Sequence, residues 1–246
     1  MSGPAPGLHL EQLIHSTSPD DLQRAVTSSA LTEDLALALL KRRDLPAPIL
    51  QELARNSVVT KHHSVLIGLI THAKTPRFVS LPLVRQLHTF EMLNVATSPA
   101  TPPDVKMAVE QAILDRLEQL SLGERITLAK RGSTRIAERL LRDPELKVVE
   151  LALQNPYLTE ACIVRTLMSE DPPEVTFVEK IAHHPKWSLR TDIRCALLRN
   201  LNTPLAVALH LAQTLPADVA RDALFHSNLP HNIKTYLMSE IQHRPR

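Results

Sequence analysis

Apolar residues recur along this chain at helical spacing, and prolines cut the pattern into short pieces. Ile136, Ala137, Leu140 and Leu141 form one stripe. Val148, Val149, Leu151, Ala152 and Leu153 nearly encircle a second segment, the pattern of a helix buried between neighbours. In the first half, Leu31–Lys41 and Pro48–Arg55 read as a helical pair. Val58–His72, Pro82–Val95 and Pro102–Gln119 supply further helices. The polar stretch from Thr97 to Pro103 is the best hinge candidate, with an ordinary loop as the plain alternative.

In the second half, prolines fall at 144, 156, 172, 185, 204, 216 and 230. Proline suits the first turn of a helix, where its missing N–H has no partner to lose. Each is therefore expected to open a helix of about three turns. Asp171-Pro172-Pro173-Glu174, Thr203-Pro204, Thr101-Pro102-Pro103-Asp104 and Ser18-Pro19 place a capping residue before proline, and Ser121 with Glu124 forms a capping box. Asn56, Asn155 and Asn200 follow apolar runs, where asparagine in a left-handed conformation commonly ends a helix. Every second proline gives steps of 26–32 residues, so a two-helix unit of about 30 residues repeats. The expected fold is all-α: a right-handed α-α superhelix, or α-solenoid, of short helical hairpins. Residues 1–15 form a tail and the start of the first helix, 16–119 irregular helical repeats and 120–246 regular ones, all within one continuous solenoid.

Composition agrees with this. Of 246 residues, 43% are hydrophobic, 22% charged and only 3% aromatic, with 5 glycines against 19 prolines. Leu, Ala, Ile and Val with few aromatics suit stacked helices better than sheets. A formal charge of +2 forces no conclusion about partners. Cys162 and Cys195 sit among apolar residues and read as small buried hydrophobes. Met1–Gly7 shows no basic start followed by an apolar run, and no apolar stretch reaches membrane-spanning length. The chain is expected to be soluble and cytoplasmic, without a secretory signal or membrane span.

The phrases Leu151-Ala-Leu-Gln-Asn-Pro-Tyr-Leu-Thr-Glu-Ala-Cys-Ile-Val164 and Leu198-Arg-Asn-Leu-Asn-Thr-Pro-Leu-Ala-Val-Ala-Leu209 carry a resemblance. They are similar to HEAT-like and leucine-rich-variant α-solenoids, and more narrowly to bacterial helical-repeat proteins with no assigned activity. The resemblance covers roughly residues 120–241; residues 1–119 match only as generic helical repeats. It implies a fold and adds little about function.

Candidate chemistry is sparse. No His-Glu-x-x-His, Cys-x-x-Cys, phosphate loop, dinucleotide fingerprint or Gly-x-Ser-x-Gly elbow occurs. His62-His63 and His183-His184 are adjacent and point about 100° apart on a helix, while helical metal pairs need a spacing of three or four. No catalytic residue, cofactor or metal ligand is expected. The surface feature that stands out is basic. Arg131, Arg135, Arg139 and Arg142 share one helical face if the turn at Gly132-Ser133 does not intervene, and Lys186, Arg190 and Arg194 lie close to Trp187. Glu138 and Asp192, interleaved with these rows, fit a plain solvated face instead. The expected function is a non-catalytic scaffold that binds another protein through arginine and aromatic anchors. The alternative is nucleic-acid binding on a basic face, by fold-level analogy with bacterial DNA-repair glycosylases built from HEAT-like repeats.

Overall fold

The computed structural model of the protein describes residues 6–243, with side chains from residue 10 onward. The expected tail at residues 1–5 lies outside the described residues. Those residues form eighteen α-helices, a 3-10 turn at Leu117–Gln119 and no strand. Among them, no helix is long and apolar enough to cross a membrane. The chain divides into two compact units, Met1–Leu120 and Ser121–Arg246.

The first unit contains α1 (Pro6–His15), α2 (Pro19–Thr27), α3 (Glu33–Leu40), α4 (Ala47–Arg55), α5 (Ser57–Thr60), α6 (His63–Thr71), α7 (Arg77–Val84), α8 (Thr89–Thr97) and α9 (Pro103–Arg116). Here α1 packs on α3, α3 on α6 and α6 on α8, while α2 packs on α4 and α7 on α9. The second unit contains α10 (Leu122–Arg131), α11 (Thr134–Leu140), α12 (Leu146–Leu153), α13 (Glu160–Leu167), α14 (Val175–Ala182), α15 (Thr191–Arg199), α16 (Leu205–Thr214), α17 (Ala217–Phe225) and α18 (His231–Gln242). In it α10, α12 and α14 pack in sequence, as do α11, α13, α15 and α17. Leu39, Leu53, Leu69 and Ile113 are fully buried in the first unit, and Ile136, Val148, Ile163, Ile181 and Leu197 in the second.

Several boundaries differ from the sequence reading. Val58–His72 is broken at Lys61-His62 into α5 and α6. Pro82–Val95 is not one helix: Pro82 lies inside α7, and α8 begins at Thr89. Pro82 and Phe78, whose carbonyl it cannot bond, are both exposed, so the helix tolerates the gap on its solvent side. Thr97–Pro103 joins α8 to α9, which pack along each other, and is an ordinary loop inside the first unit.

Proline opens helices one place earlier than expected. Pro46, Pro76, Pro102, Pro204, Pro216 and Pro230 are the N-cap residues themselves. Their carbonyls take first-turn amides, as Pro204 O does from Ala208 at 2.9 Å. Pro144, Pro156, Pro172 and Pro185 lie in loops before their helices. Glu174, not Asp171, caps α14, and Thr203 turns its hydroxyl back to the Leu197 carbonyl. Pro19 does open α2 behind Ser18, and the Ser121–Glu124 capping box is present.

The asparagines end helices by another means than expected. No described residue has positive φ, and Asn56 and Asn200 are extended, with ψ of 100° and 133°. Their side chains do the work. Asn56 Nδ2 donates to the carbonyls of Val26 and Ser28, at 2.8 and 3.2 Å, while its Oδ1 accepts from the Val58 amide. Asn155 does the same with Ala129 and Gly132, at 2.7 and 3.1 Å, and with the Tyr157 amide. Asn200 bonds Leu167 O and accepts from the Asn202 amide. In each case a helix's last carbonyls are satisfied by the end of the next helix packed beside it. Other residues fill the same place: Arg42 on Ile14 and Ser16, His72 on Arg42, Arg116 on Arg85 and Leu87, and Trp187 Nε1 on Leu153. Gly132 is required by proximity: a Cβ there would lie 2.5 Å from the Leu128 carbonyl oxygen.

Asn155→Ala and Asn200→Ala should each lower the unfolding free energy by about 1–3 kcal/mol, because buried carbonyls lose their donor. Urea denaturation checks this, with the midpoint falling at constant slope.

Candidate functional site

The structure interrupts both basic rows, leaving Arg135 and Arg139 together on α11. Arg131 is the last residue of α10, Arg135 and Arg139 lie exposed on α11, and Arg142 follows α11. The break at Gly132-Ser133 removes the continuous face. Arg142 is bound inside the protein: Nη1 is 3.0 Å from the Asp171 carboxylate, and Nη2 bonds the Asp171 carbonyl at 2.7 Å and the Ser169 hydroxyl. Lys186 lies in a loop, Arg190 caps α15 and Arg194, within α15, bonds Thr214. Trp187 is not an exposed anchor. It is 3% exposed, its indole N–H is donated to Leu153 O, and Lys186 Nζ lies 3.9 Å from its ring centroid.

In their place the second unit presents four exposed aliphatic residues at equivalent helix positions that the sequence reading missed. Leu122, Leu146, Val175 and Leu205 are the first residues of α10, α12, α14 and α16, and are 42–49% exposed. The available signal was one aliphatic residue directly after each N-cap, off the buried stripe. Between α12 and α14 lie two cavities of about 600 and 500 Å³ that share Leu146 and Thr176. The larger has Leu146, Leu153 and Pro185 in its wall and the Glu150–Lys180 ion pair at its rim. The smaller is lined by Arg142, Asp143 and Phe177. Asp143 is fixed there by Arg125, whose Nη1 lies 2.7 Å from both carboxylate oxygens.

A third cavity, about 680 Å³, lies between α13 and α15 against Val164, Met168 and Cys195. Its arginines are engaged: Arg165 grips Glu138 at 2.7 and 2.8 Å, and Arg199 bonds Asp222 at 2.8 Å. The Arg165 hydrogen bond holds the Glu138 carboxyl below its ordinary value. Burial raises the Cys195 thiol, which disfavours the reactive thiolate. Cys162 is buried, its sulfur 3.1 Å from the Thr159 hydroxyl.

The first unit holds a cluster that spacing within a single helix could not reveal. His63 opens α6, His88 caps α8 and Glu91 lies in the first turn of α8. His63 Nδ1 is 2.7 Å from Glu91 Oε2, which also accepts the His88 amide at 2.8 Å. The two imidazoles stack with centroids 4.7 Å apart and planes 15° from parallel. Burial is the largest influence on Glu91 and raises its carboxyl. The His63 bond, the His88 amide and the charges of both histidines outweigh it and leave the value lowered. Next to this cluster, His62 Nδ1 lies 3.0 Å from Glu33, and Ser64 also bonds Glu33. The partners stand roughly one two-helix unit apart, which is the signal that reading by repeats would have used.

Comparison with family models, curated proteins and solved structures finds no match to this chain.

His184, in the wall of the cavity of about 600 Å³ between α12 and α14, accepts the Lys186 and Trp187 amides on Nδ1 at 3.2 and 3.4 Å. Burial, reinforced by Lys186, lowers its pKa below the ordinary imidazole value. The unfolded chain therefore takes up this proton first as pH falls. Stability from His184 is complete above about pH 6.5 and is lost as pH drops through the lowered value. An NMR titration should place His184 below the ordinary imidazole, and His184→Gln should flatten this part of the stability profile.

Proposed function

We propose that the protein is a non-catalytic helical-repeat scaffold that binds another protein along the α12–α14 face of its second unit. In this reading each unit is a short right-handed α-α superhelix of the HEAT-like, leucine-rich-variant kind. The alternate packing of helices and the hydrogen bonds that join helix ends about 30 residues apart support it. Such stacking presents a broad surface without any reactive group.

The observation that carries the binding reading is the exposed set Leu122, Leu146, Val175 and Leu205. Isolated exposed aliphatics are ordinary, but recurrence at the first position of alternate helices, with Leu146 in the wall of both α12–α14 cavities, supports an interaction surface. The partner is a protein segment with aliphatic side chains for the groove, its ends meeting the Glu150–Lys180 rim. Arg135 and Arg139, exposed on α11, are the remaining basic candidates of the original rows.

A photo-crosslinking residue at position 146 of the full chain tests this in cell extract. The expected outcome is a specific protein adduct that Val175→Asp and Leu205→Asp suppress while helicity is retained. Loss on Arg135→Glu/Arg139→Glu would add the basic face to the site. An adduct with nucleic acid instead, its binding falling steeply with salt, would overturn the reading in favour of a nucleic-acid binder.

A further inference from the structure

We propose that His63, His88 and Glu91 form a binding site for a borderline transition-metal dication of the zinc class, stapling the start of α6 to the start of α8. One ligand atom from each residue, two imidazole nitrogens and a carboxylate oxygen, lies within 4.8 Å of the others. Zinc bonds to nitrogen and oxygen are about 2.0–2.2 Å, so ligand atoms around a tetrahedral ion stand about 3.3 Å apart. His63 Nδ1 and Glu91 Oε2 are already closer than that, at 2.7 Å. His88 is exposed and His63 and Glu91 are half-buried, so side-chain rotation alone can close the set.

The donor set decides the class of ion. Two imidazoles with one carboxylate suit zinc, nickel or copper, whereas calcium and magnesium require mostly oxygen ligands. Three protein donors leave a fourth position for water or an incoming ligand. The carboxylate is pre-oriented, because the His88 amide holds Glu91 Oε2 at 2.8 Å. The second ring lies stacked on the first, with a nitrogen within 4.8 Å of the other ligand atoms, and being exposed it can turn to aim that nitrogen at the same ion. One term opposes binding: the N-termini of α6 and α8 meet here, and helix dipoles disfavour cations. The Glu91 charge, with Glu33 close by on His62, offsets it.

The inference concerns the first unit and stands apart from the partner surface of the second. Its test is calorimetric titration of zinc into the full-length, untagged chain after chelator treatment, beside melting curves with and without the ion. The wild type should bind saturably and melt higher with zinc. His88→Ala, which removes an exposed side chain, and Glu91→Gln, which keeps an acceptor for the His88 amide, should each weaken binding by about tenfold or more. Cys195→Ser, in the other unit, should leave it unchanged. Melting curves in chelator show that each variant is folded. Absence of zinc binding, equal binding of magnesium, or zinc binding that survives His88→Ala would each overturn the site.

Discussion

The constraint on which this structure depends is that carbonyls at the end of a buried helix must find donors. Many helices solve this locally, with a glycine in the left-handed conformation that folds the chain back over its last turn. This protein has 5 glycines, and no described residue has positive φ. Helices instead end by running into extended backbone, as at Ser28, Asn56, His72, Ser98, Gly132 and Asn200. At Ser28 and Gly132 the exposed carbonyls are then met by an asparagine from the next packed helix, and before Asn200 the Arg199 carbonyl is met by the Asn228 amide. That solution is tertiary, so the end of each helix is finished only when its neighbour is in place.

This accounts for the short helices and for their order. Helices such as α11 and α12, of 7 and 8 residues, are below the length that holds alone in water. They gain stability from burial of one face and from donors supplied by the neighbour. Packed pairs α2–α4, α10–α12 and α13–α15 are also the pairs joined by Asn56, Asn155 and Asn200. The asparagine reaches both ways, because its oxygen takes the amide two residues on and so fixes the direction in which the chain leaves. After Asn200, Pro204 then completes the turn as the N-cap of α16, lending a carbonyl where it has no N–H to lose.

The helical class was legible because it lies in short-range periodicity: Ile136, Ala137, Leu140 and Leu141 are all buried, as their stripe implied. What lay beyond reach were roles set by a residue about 30 positions away. Asn155 looked like a local terminator, and its partner is the end of α10. Trp187 looked like a surface anchor, yet its indole N–H finishes α12. His63 was weighed only beside His62 on one helix, while its partner Glu91 lies across from α6 on α8. Pro82 misled differently, because its position on the solvent side of α7 makes tolerable what burial would forbid. The candidate surface was legible only as isolated aliphatic residues after N-caps, since the cavities beside Leu146 arise from the packing of α12 on α14.

The same long-range logic bears on the choice between partners. Arg42 and Arg116 serve as donors to helix ends, Arg142 closes a loop, and Arg125, Arg165 and Arg199 hold carboxylates. A guanidinium engaged in this way is a structural donor, and releasing it to bind a phosphate would leave a helix end or a carboxylate unsatisfied. Exposed aliphatic side chains carry no such internal obligation: Leu146 and Val175 begin their helices and leave the hydrogen-bonding of the backbone untouched. This is why the proposed reading puts recognition on the apolar residues, where contact with a partner would break no internal hydrogen bond.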